Sequence, residues 1–316
     1  MSRRVLITGG AGFAGQWMCR ALLARGWSVY AGSRSGAPAS LVLTEEEIRA
    51  VCWTNLDVTS DAMIERAVQS CAPDYVVHLA GMAFAPEADA APVRAFEVNA
   101  LAALRLLEAL KGSPRVRVLI IGSAFQYGAH DSTAYPIRED APQRPLMAYG
   151  VAKAAQELIA LHAFRSAGTQ VVCTRSFNHS GVGHDPAKYL LPGWAARLPE
   201  VRASGGKFPI GNPTVVRDYL HVADVADAYA LLLERGVAGE AYNVSSGVGT
   251  TIRELAERFL GRAGIAAEII VNPAHARPLD VPILVGDNTK LRQATGWAPK
   301  RSIDDIIDDL IHAAAR

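Results

Sequence analysis

Two side chains in this chain are spaced to do acid–base work together: Tyr149 and Lys153, in the run Tyr149-Gly150-Val151-Ala152-Lys153. A spacing of four puts both on one face of a helix, about one turn apart. A phenol with an ordinary pKa near ~10 exchanges protons poorly at neutral pH. A neighbouring ammonium favours the phenolate, so the spacing predicts that Lys153 lowers the Tyr149 pKa and makes the phenol useful in proton transfer. Tyr-x-x-x-Lys also occurs by chance on surface helices. It gains weight from a second segment near the N-terminus, Thr8-Gly9-Gly10-Ala11-Gly12-Phe13-Ala14-Gly15.

That glycine run follows the apolar Val5-Leu6-Ile7 and opens into an amphipathic stretch over 16–25. Strand, glycine turn and helix in that order are the context of a dinucleotide-binding fingerprint. Gly9 permits a tight turn, Gly12 clears a side chain from where backbone approaches a pyrophosphate, and Gly15 lets helix and strand pack closely. The helix N-terminus would offer free N–H groups and a positive dipole end to phosphate oxygens.

The elements that must position these segments alternate in type. Strand-like apolar runs fall at 5–8, 28–32, 51–53, 75–79, 116–121 and 171–174, with helical patterns between them, notably at 61–70, 92–111 and 148–167. The alternation predicts an α/β fold, a Rossmann-type doubly wound parallel sheet with helices on both faces. The run 116–121 is nearly all apolar, as a central strand covered on both faces should be. After Phe177 the texture changes: 178–216 is rich in Gly, Pro and Asn with one helical pattern near 190–198, and 221–235 is helical again. From Gly249 onward come short helices and one short strand at 268–271. The expected division is a dinucleotide-binding domain over 1–177, to which 214–245 returns, and a smaller α/β substrate-binding domain over 178–213 and 246–316. The second domain would sit over the carboxyl ends of the strands, where open α/β sheets bind ligands.

Composition narrows the function classes. Half of the 316 residues are hydrophobic, a fifth are charged and the net charge is +1. A sizeable core is available, whereas a nucleic-acid or membrane-surface footprint is disfavoured. Cys19, Cys52, Cys71 and Cys173 lie far apart, with no Cys-x-x-Cys and no histidine spacing for zinc. No metal is expected, and the thiols read as buried in a reducing compartment. No run approaches the ~20 apolar residues of a membrane span, and the apolar N-terminal run is only strand-long, so a cytoplasmic protein is expected.

Gly32-Ser33-Arg34 follows the second predicted strand. An acid there would accept hydrogen bonds from adenosine ribose hydroxyls, whereas a hydroxyl and a guanidinium suit a 2′-phosphate. NADP(H) is therefore favoured, with NAD(H) the other reading if Arg34 is only a solvated surface charge.

The Gly-x-x-Gly-x-x-Gly spacing together with the Tyr/Lys pair resembles the extended short-chain dehydrogenase/reductase superfamily, in its nucleotide-sugar-modifying branch. The resemblance covers essentially the whole chain: His78-Leu79-Ala80-Gly81, 149–153, the run from Arg175 to Gly183, Val216-Arg217-Asp218, 242–247, the run from Arg277 to Pro282, and 295–299. The Asn178-His179-Ser180-Gly181 and Arg277-Pro278 segments draw it toward the GDP-6-deoxy-4-keto-mannose reductases, which form GDP-rhamnose. The resemblance implies that Ser123 and Tyr149 bracket a sugar carbonyl, and that Lys153 holds the nicotinamide ribose. Asn99, in the helix after the fourth strand, would position that lysine and the strand ends. Phe13 and Ala14 would join Gly9, Gly12 and Gly15 at the cofactor, Asp57 and Val58 would touch the adenine, and Leu79, Ala80 and Gly81 would line the adenosine and pyrophosphate. Asn178, Arg217, Arg277 and, more weakly, Lys188 would grip the nucleotide-diphosphate sugar. His179 and His184 are left out of catalysis, and His78 reads as a core histidine. A homodimer through helices 92–111 and 148–167 is implied as well.

One departure matters. Nucleotide-sugar 4,6-dehydratases resembling this chain carry acids at the positions of Ala124 and Phe125, residues that cannot do acid–base chemistry. Dehydration is disfavoured, although some family reductases also carry an acid at the Phe125 position. The first expectation is thus an NAD(P)H-dependent reductase of a nucleotide-linked 4-keto-6-deoxyhexose in deoxysugar biosynthesis. The alternatives are a 4-epimerase with tightly held NAD and, remotely, a non-catalytic dinucleotide sensor.

Overall fold

Each of the six apolar runs read as strands before Phe177 joins one parallel sheet. The computed structural model describes residues 3–40, 42–203, 206–275 and 281–315. In chain order the first half comprises β1 (Arg4–Thr8), α1 (Phe13–Leu23), β2 (Ser28–Ser33), α2 (Glu45–Ala50), β3 (Cys52–Asn55), α3 (Asp61–Cys71), β4 (Tyr75–His78), α4 (Ala85–Ala90), α5 (Pro92–Phe96), α6 (Ala102–Ala109), β5 (Arg117–Ser123), α7 (Ala148–Ala167) and β6 (Gln170–Ser176). There follow β7 (Asn178–Ser180), α8 (Leu190–Ala203), β8 (Lys207–Ile210), β9 (Val216–His221), α9 (Val222–Arg235), β10 (Ala241–Val244), β11 (Gly249–Thr251), α10 (Ile252–Ala263), β12 (Glu268–Val271), β13 (Ile283–Leu284), α11 (Thr289–Thr295) and α12 (Ile303–Ala314).

The main sheet runs β10-β6-β5-β4-β1-β2-β3, and its neighbours pair in parallel throughout. The chain winds outward in one direction from β1 to β3 and then returns to the other side at β4. Strand order therefore reverses between β1 and β4, where a crevice opens at the carboxyl ends. One apolar cluster, with Met18, Leu22, Tyr229 and Leu233, covers one face of the sheet. A second, with Ile64, Leu106 and Ala160, covers the other. Two-sided burial explains why β5 reads as nearly unbroken apolar sequence.

Residues 178–284 add two small sheets, β11-β9-β13 with β7 on β9, and β12 paired with β8. Their apolar partners are α8, α10 and α12, through Trp194, Phe259 and Ile307. The strand expected at 268–271 is β12. The helix expected over 92–111 is not one regular helix: a π-turn at Glu97–Leu101 separates α5 from α6. Its widened turn fully buries Asn99, and insertions of this kind are frequent at functional sites.

Candidate active site

The glycine loop is shaped by contacts that leave no room for side chains. Gly9 has φ +72, and a Cβ there would lie 2.8 Å from the Ala80 backbone nitrogen. A Cβ on Gly15 would come within 2.3 Å of the Gly9 carbonyl oxygen, so α1 packs against the turn only because Gly15 has none. Gly12 stands at the N-cap of α1 in extended backbone, and no side chain caps the helix. Phe13, Ala14 and Gly15, its first turn, line a cleft of about 910 Å³ at the carboxyl ends of the strands. An uncapped helix N-terminus behind a side-chain-free turn fits the pyrophosphate of a dinucleotide.

The other cofactor positions expected from sequence are distributed along the same cleft. Ser33 and Arg34 line it after β2, Asp57 and Val58 after β3, and Leu79, Ala80 and Gly81 after β4. Two hydrogen bonds from Thr59, one from its N–H (2.9 Å) and one from its hydroxyl (2.7 Å), fix the Asp57 carboxylate. They hold its pKa below the usual carboxylate range, with Arg94 and Arg34 adding a smaller electrostatic pull. Arg94 of α5 lines this end too and pairs with Glu97 at 3.0 Å. Sequence reasoning missed Arg94; its signal was a cation one helical turn before the buried Asn99 segment.

Ser123 ends β5, Tyr149 sits in the first turn of α7, and both line the cleft. The two side chains are near enough that Ser123 lowers the Tyr149 pKa. Ser123 is held by its own turn: its N–H donates to Gln126 Oε1 (2.8 Å) and its Oγ accepts from the Phe125 N–H (3.2 Å). The expected acidity of Tyr149 is reversed. Burial pushes its pKa up to about 12, against a smaller lowering by Ser123. Lys153 does not offset that burial, because its ammonium turns to the Ile121 carbonyl (2.8 Å) and Gln156 Oε1 (2.9 Å), and its own pKa is pushed down to about 7 by burial. Desolvation sets the direction of both shifts.

Lys153 is buried behind Tyr149 and is not among the residues lining the cleft. Asn99 is likewise off the cleft surface. Its Oδ1 accepts from Met82 N–H (2.8 Å) and its Nδ2 donates to Met82 O (3.2 Å), fixing the chain just past Gly81. Buried by the π-turn, Asn99 holds this segment from beneath the cleft and does not line it. A Cβ on Gly81 would meet Asn99 Oδ1 at 2.7 Å and Lys153 Nζ at 3.5 Å, so all three converge beneath the cleft floor.

Behind Ser123 lies a buried ionic network. Glu157, one turn beyond Lys153 on the same face of α7, accepts from Arg175 Nη2 (2.7 Å) and Nε (3.0 Å), Gln126 Nε2 (2.8 Å) and Gln143 Nε2 (2.8 Å). Arg175 Nη1 also donates to the Tyr127 hydroxyl (2.9 Å), which donates to Asn243 Oδ1 (2.7 Å). The network joins α7, β6, β10 and the turn after β5, and so sets Ser123 against Tyr149.

On the substrate side, Asn178 lines the cleft as expected. Lys188 does not: it pairs with Glu87 at 2.7 Å across the mouth. Arg217 is buried and also off the lining; its Nη1 donates to the carbonyls of Val216 (2.8 Å) and Val281 (2.7 Å), tying β9 to the segment before β13. Arg277 lies outside the described residues. His179 and His184 do face the cleft. His184 stacks between Phe13 (ring centroids 4.2 Å) and Tyr189 (3.8 Å), so the glycine loop is clamped to the loop before α8. Burial lowers the pKa of both histidines, which suits stacking rather than proton exchange at neutral pH.

Against known proteins, the family described as GDP-mannose 4,6 dehydratase matches residues 6–310. The GDP-6-deoxy-D-mannose reductase of Pseudomonas aeruginosa is 32% identical over 316 residues, covering 98% of this chain and 97% of that protein. The structure of RMD from Pseudomonas aeruginosa complexed with NADPH superposes with a TM-score of 0.80 at 30% identity, over 98% of both chains. The UDP-glucose 4-epimerase of Thermus thermophilus, in complex with NAD, gives a TM-score of 0.87 at 30% identity over 99% of both.

Proposed function

The chain belongs to the GDP-mannose 4,6 dehydratase family, and we propose that within it this protein is an NAD(P)H-dependent reductase of a nucleotide-linked 4-keto-6-deoxyhexose, converting GDP-4-keto-6-deoxy-mannose to GDP-rhamnose. The observation that carries the reading is the pair of hydroxyls, Ser123 and Tyr149, lining the cleft beside Ala124 and Phe125, which bear no acid. A dehydratase needs a side chain to take the proton next to the keto group; a reductase needs only a donor for the keto oxygen. The likeness to a GDP-6-deoxy-D-mannose reductase and to an NADPH-bound structure supports the same choice.

The glycine loop and the first turn of α1 would hold the cofactor pyrophosphate, with Ser33 and Arg34 at its adenosine end. Bound there, a nicotinamide supplies hydride to the sugar carbon. Tyr149, kept protonated by burial, gives its proton to the keto oxygen while Ser123 donates a hydrogen bond to the same atom. The resemblance assigns Lys153 to the cofactor ribose and Asn178 and Arg217 to the sugar and its diphosphate; of the three, Asn178 lines the cleft, while Lys153 and Arg217 are buried off it and bound to backbone carbonyls. We favour NADP(H) over NAD(H) because Arg34 and Arg94 both border that end of the cleft.

The test is NADPH consumption with GDP-, dTDP- and UDP-linked 4-keto-6-deoxyhexoses. GDP-linked substrate is expected to be turned over, and no consumption with any of them would refute the reading. Tyr149→Phe should lower turnover by ~10²-fold or more with cofactor affinity nearly intact; absent any turnover to lose, a sensor stands. The 4-epimerase reading is supported by the Thermus thermophilus likeness. Stoichiometric NAD on the purified protein would favour it; an exchanging NADPH site favours the reductase.

We also propose a homodimer through α5, α6 and α7. Val93, Leu101, Leu104, Val151 and Leu158 are exposed along these helices, Val93 at 75% and Leu158 at 63%, and apolar exposure of this kind marks an interaction surface. Among the described residues, no helix is long and apolar enough to cross a membrane. Cys19, Cys71 and Cys173 are buried, whereas Cys52, at the start of β3, is exposed, contrary to the expectation of buried thiols; all four are free, which supports the cytoplasmic reading.

A further inference from the structure

Because Ser123 and Tyr149 line the same cleft, a sugar oxygen served by both hydroxyls must sit between them. Its carbon, and the substituents one or two bonds further on, then lie against whatever side chains adjoin the two hydroxyls. On the Phe125 side those side chains are apolar. The Phe125 ring meets the Tyr149 ring edge-on, with centroids 6.0 Å apart and planes at 72°. Phe125 packs with Tyr149 and Met82 in one apolar cluster, and with Ala124, Phe177 and Leu284 in another. It is the residue common to both, it is partly exposed, and it lines the cleft together with Met82, Ala124, Phe177 and Leu284.

We propose that Phe125 is a specificity-determining residue whose ring reads a methyl group, in place of a hydroxymethyl, on the carbon next to the reacting centre. The proposal rests on the keto-sugar reductase reading above. A methyl placed on this wall gains apolar contact, whereas a hydroxyl placed there gives up its water for no partner. Apolar pockets reject a group that merely adds a hydroxyl by no more than about 10²-fold, so a preference of roughly ten- to a hundredfold is expected.

GDP-rhamnose and GDP-mannose share ring stereochemistry and differ by this one hydroxyl, which makes them a matched pair for oxidation with NADP⁺. Wild type should favour GDP-rhamnose in kcat/KM by about ten- to a hundredfold. Phe125→Leu should keep most of that ratio, and Phe125→Gln, which offers the hydroxyl a partner, should bring it to within roughly threefold of unity. Should Phe125→Gln not fold, Phe125→Tyr keeps the ring, adds one hydroxyl and should shift the ratio the same way. Equal use of both sugars by wild type, or a ratio unmoved by the polar variants, overturns the proposal and leaves the reductase reading standing. Turnover of neither sugar, nor of any 4-keto sugar in the reductive assay, overturns both.

Discussion

Glu157→Gln tests whether the ionic network behind Ser123 holds the site together. The carboxylate accepts four hydrogen bonds from Arg175, Gln126 and Gln143, and its partner Arg175 has a side chain only 8% exposed. Glutamine conserves volume, but one oxygen becomes an amide donor facing other donors, and the guanidinium loses its counter-charge. Breaking a buried pair by removing one partner costs about 3–5 kcal/mol. Unfolding entropy near 2.1 cal/mol/K per residue gives roughly 0.7 kcal/mol/K for a chain of this length, so Tm should fall by about 4–8 °C. Gln126 links the same carboxylate to the Ser123 N–H, and a small displacement of reacting groups can cost up to ~10²-fold in rate. kcat should therefore fall while the cofactor Kd stays put. Urea and thermal unfolding, run beside cofactor titration and turnover, measure all three. Adding Arg175→Met should restore much of the stability, since the orphaned charge is gone. A loss below about 1 kcal/mol for Glu157→Gln, or a double variant less stable than either single one, would refute the reasoning.

Two other expectations concern the cofactor end and pH. Arg34→Ala should weaken NADPH by about ten- to a hundredfold, the worth of a charge-assisted hydrogen bond, and barely change NADH. Equal losses for the two cofactors in a fluorescence titration would show that Arg34 is only a surface charge. Lys153 has its pKa pushed down to about 7 from 10.5 by burial, so between those values the unfolded chain binds one proton more than the folded one, and this residue's burial cost is relieved as pH rises. Lys153→Met should accordingly stabilise the protein at pH 7, and its advantage over wild type should shrink by about 2 kcal/mol by pH 9. A stability difference that stays flat across that window would contradict it.

The sequence by itself determined what depends on neighbours in the chain. The glycine turn is legible because φ +72 at Gly9 and the missing Cβ at Gly15 are demands of local geometry that few residue types meet. Six of the seven strands of the main sheet were legible as apolar runs, the edge strand β10 being the exception, and Tyr149 and Lys153 share a helical face by spacing alone. Tertiary structure decided everything that depends on desolvation or on distant partners. The Tyr149 pKa moved opposite to the expectation because burial raises it and the lysine one turn away is engaged with Ile121 and Gln156 instead. Asn99 is held off the cleft because the π-turn buries it against Met82. Lys188 left the substrate for Glu87, more than a hundred positions earlier in the chain. Glu157 and Arg175 became one network, and Arg94 joined Arg34 at the cleft, only once α7, β6 and α5 were packed on the sheet. Side-chain type and spacing specify which groups are available; the water excluded by packing determines which of them are charged and which of them touch.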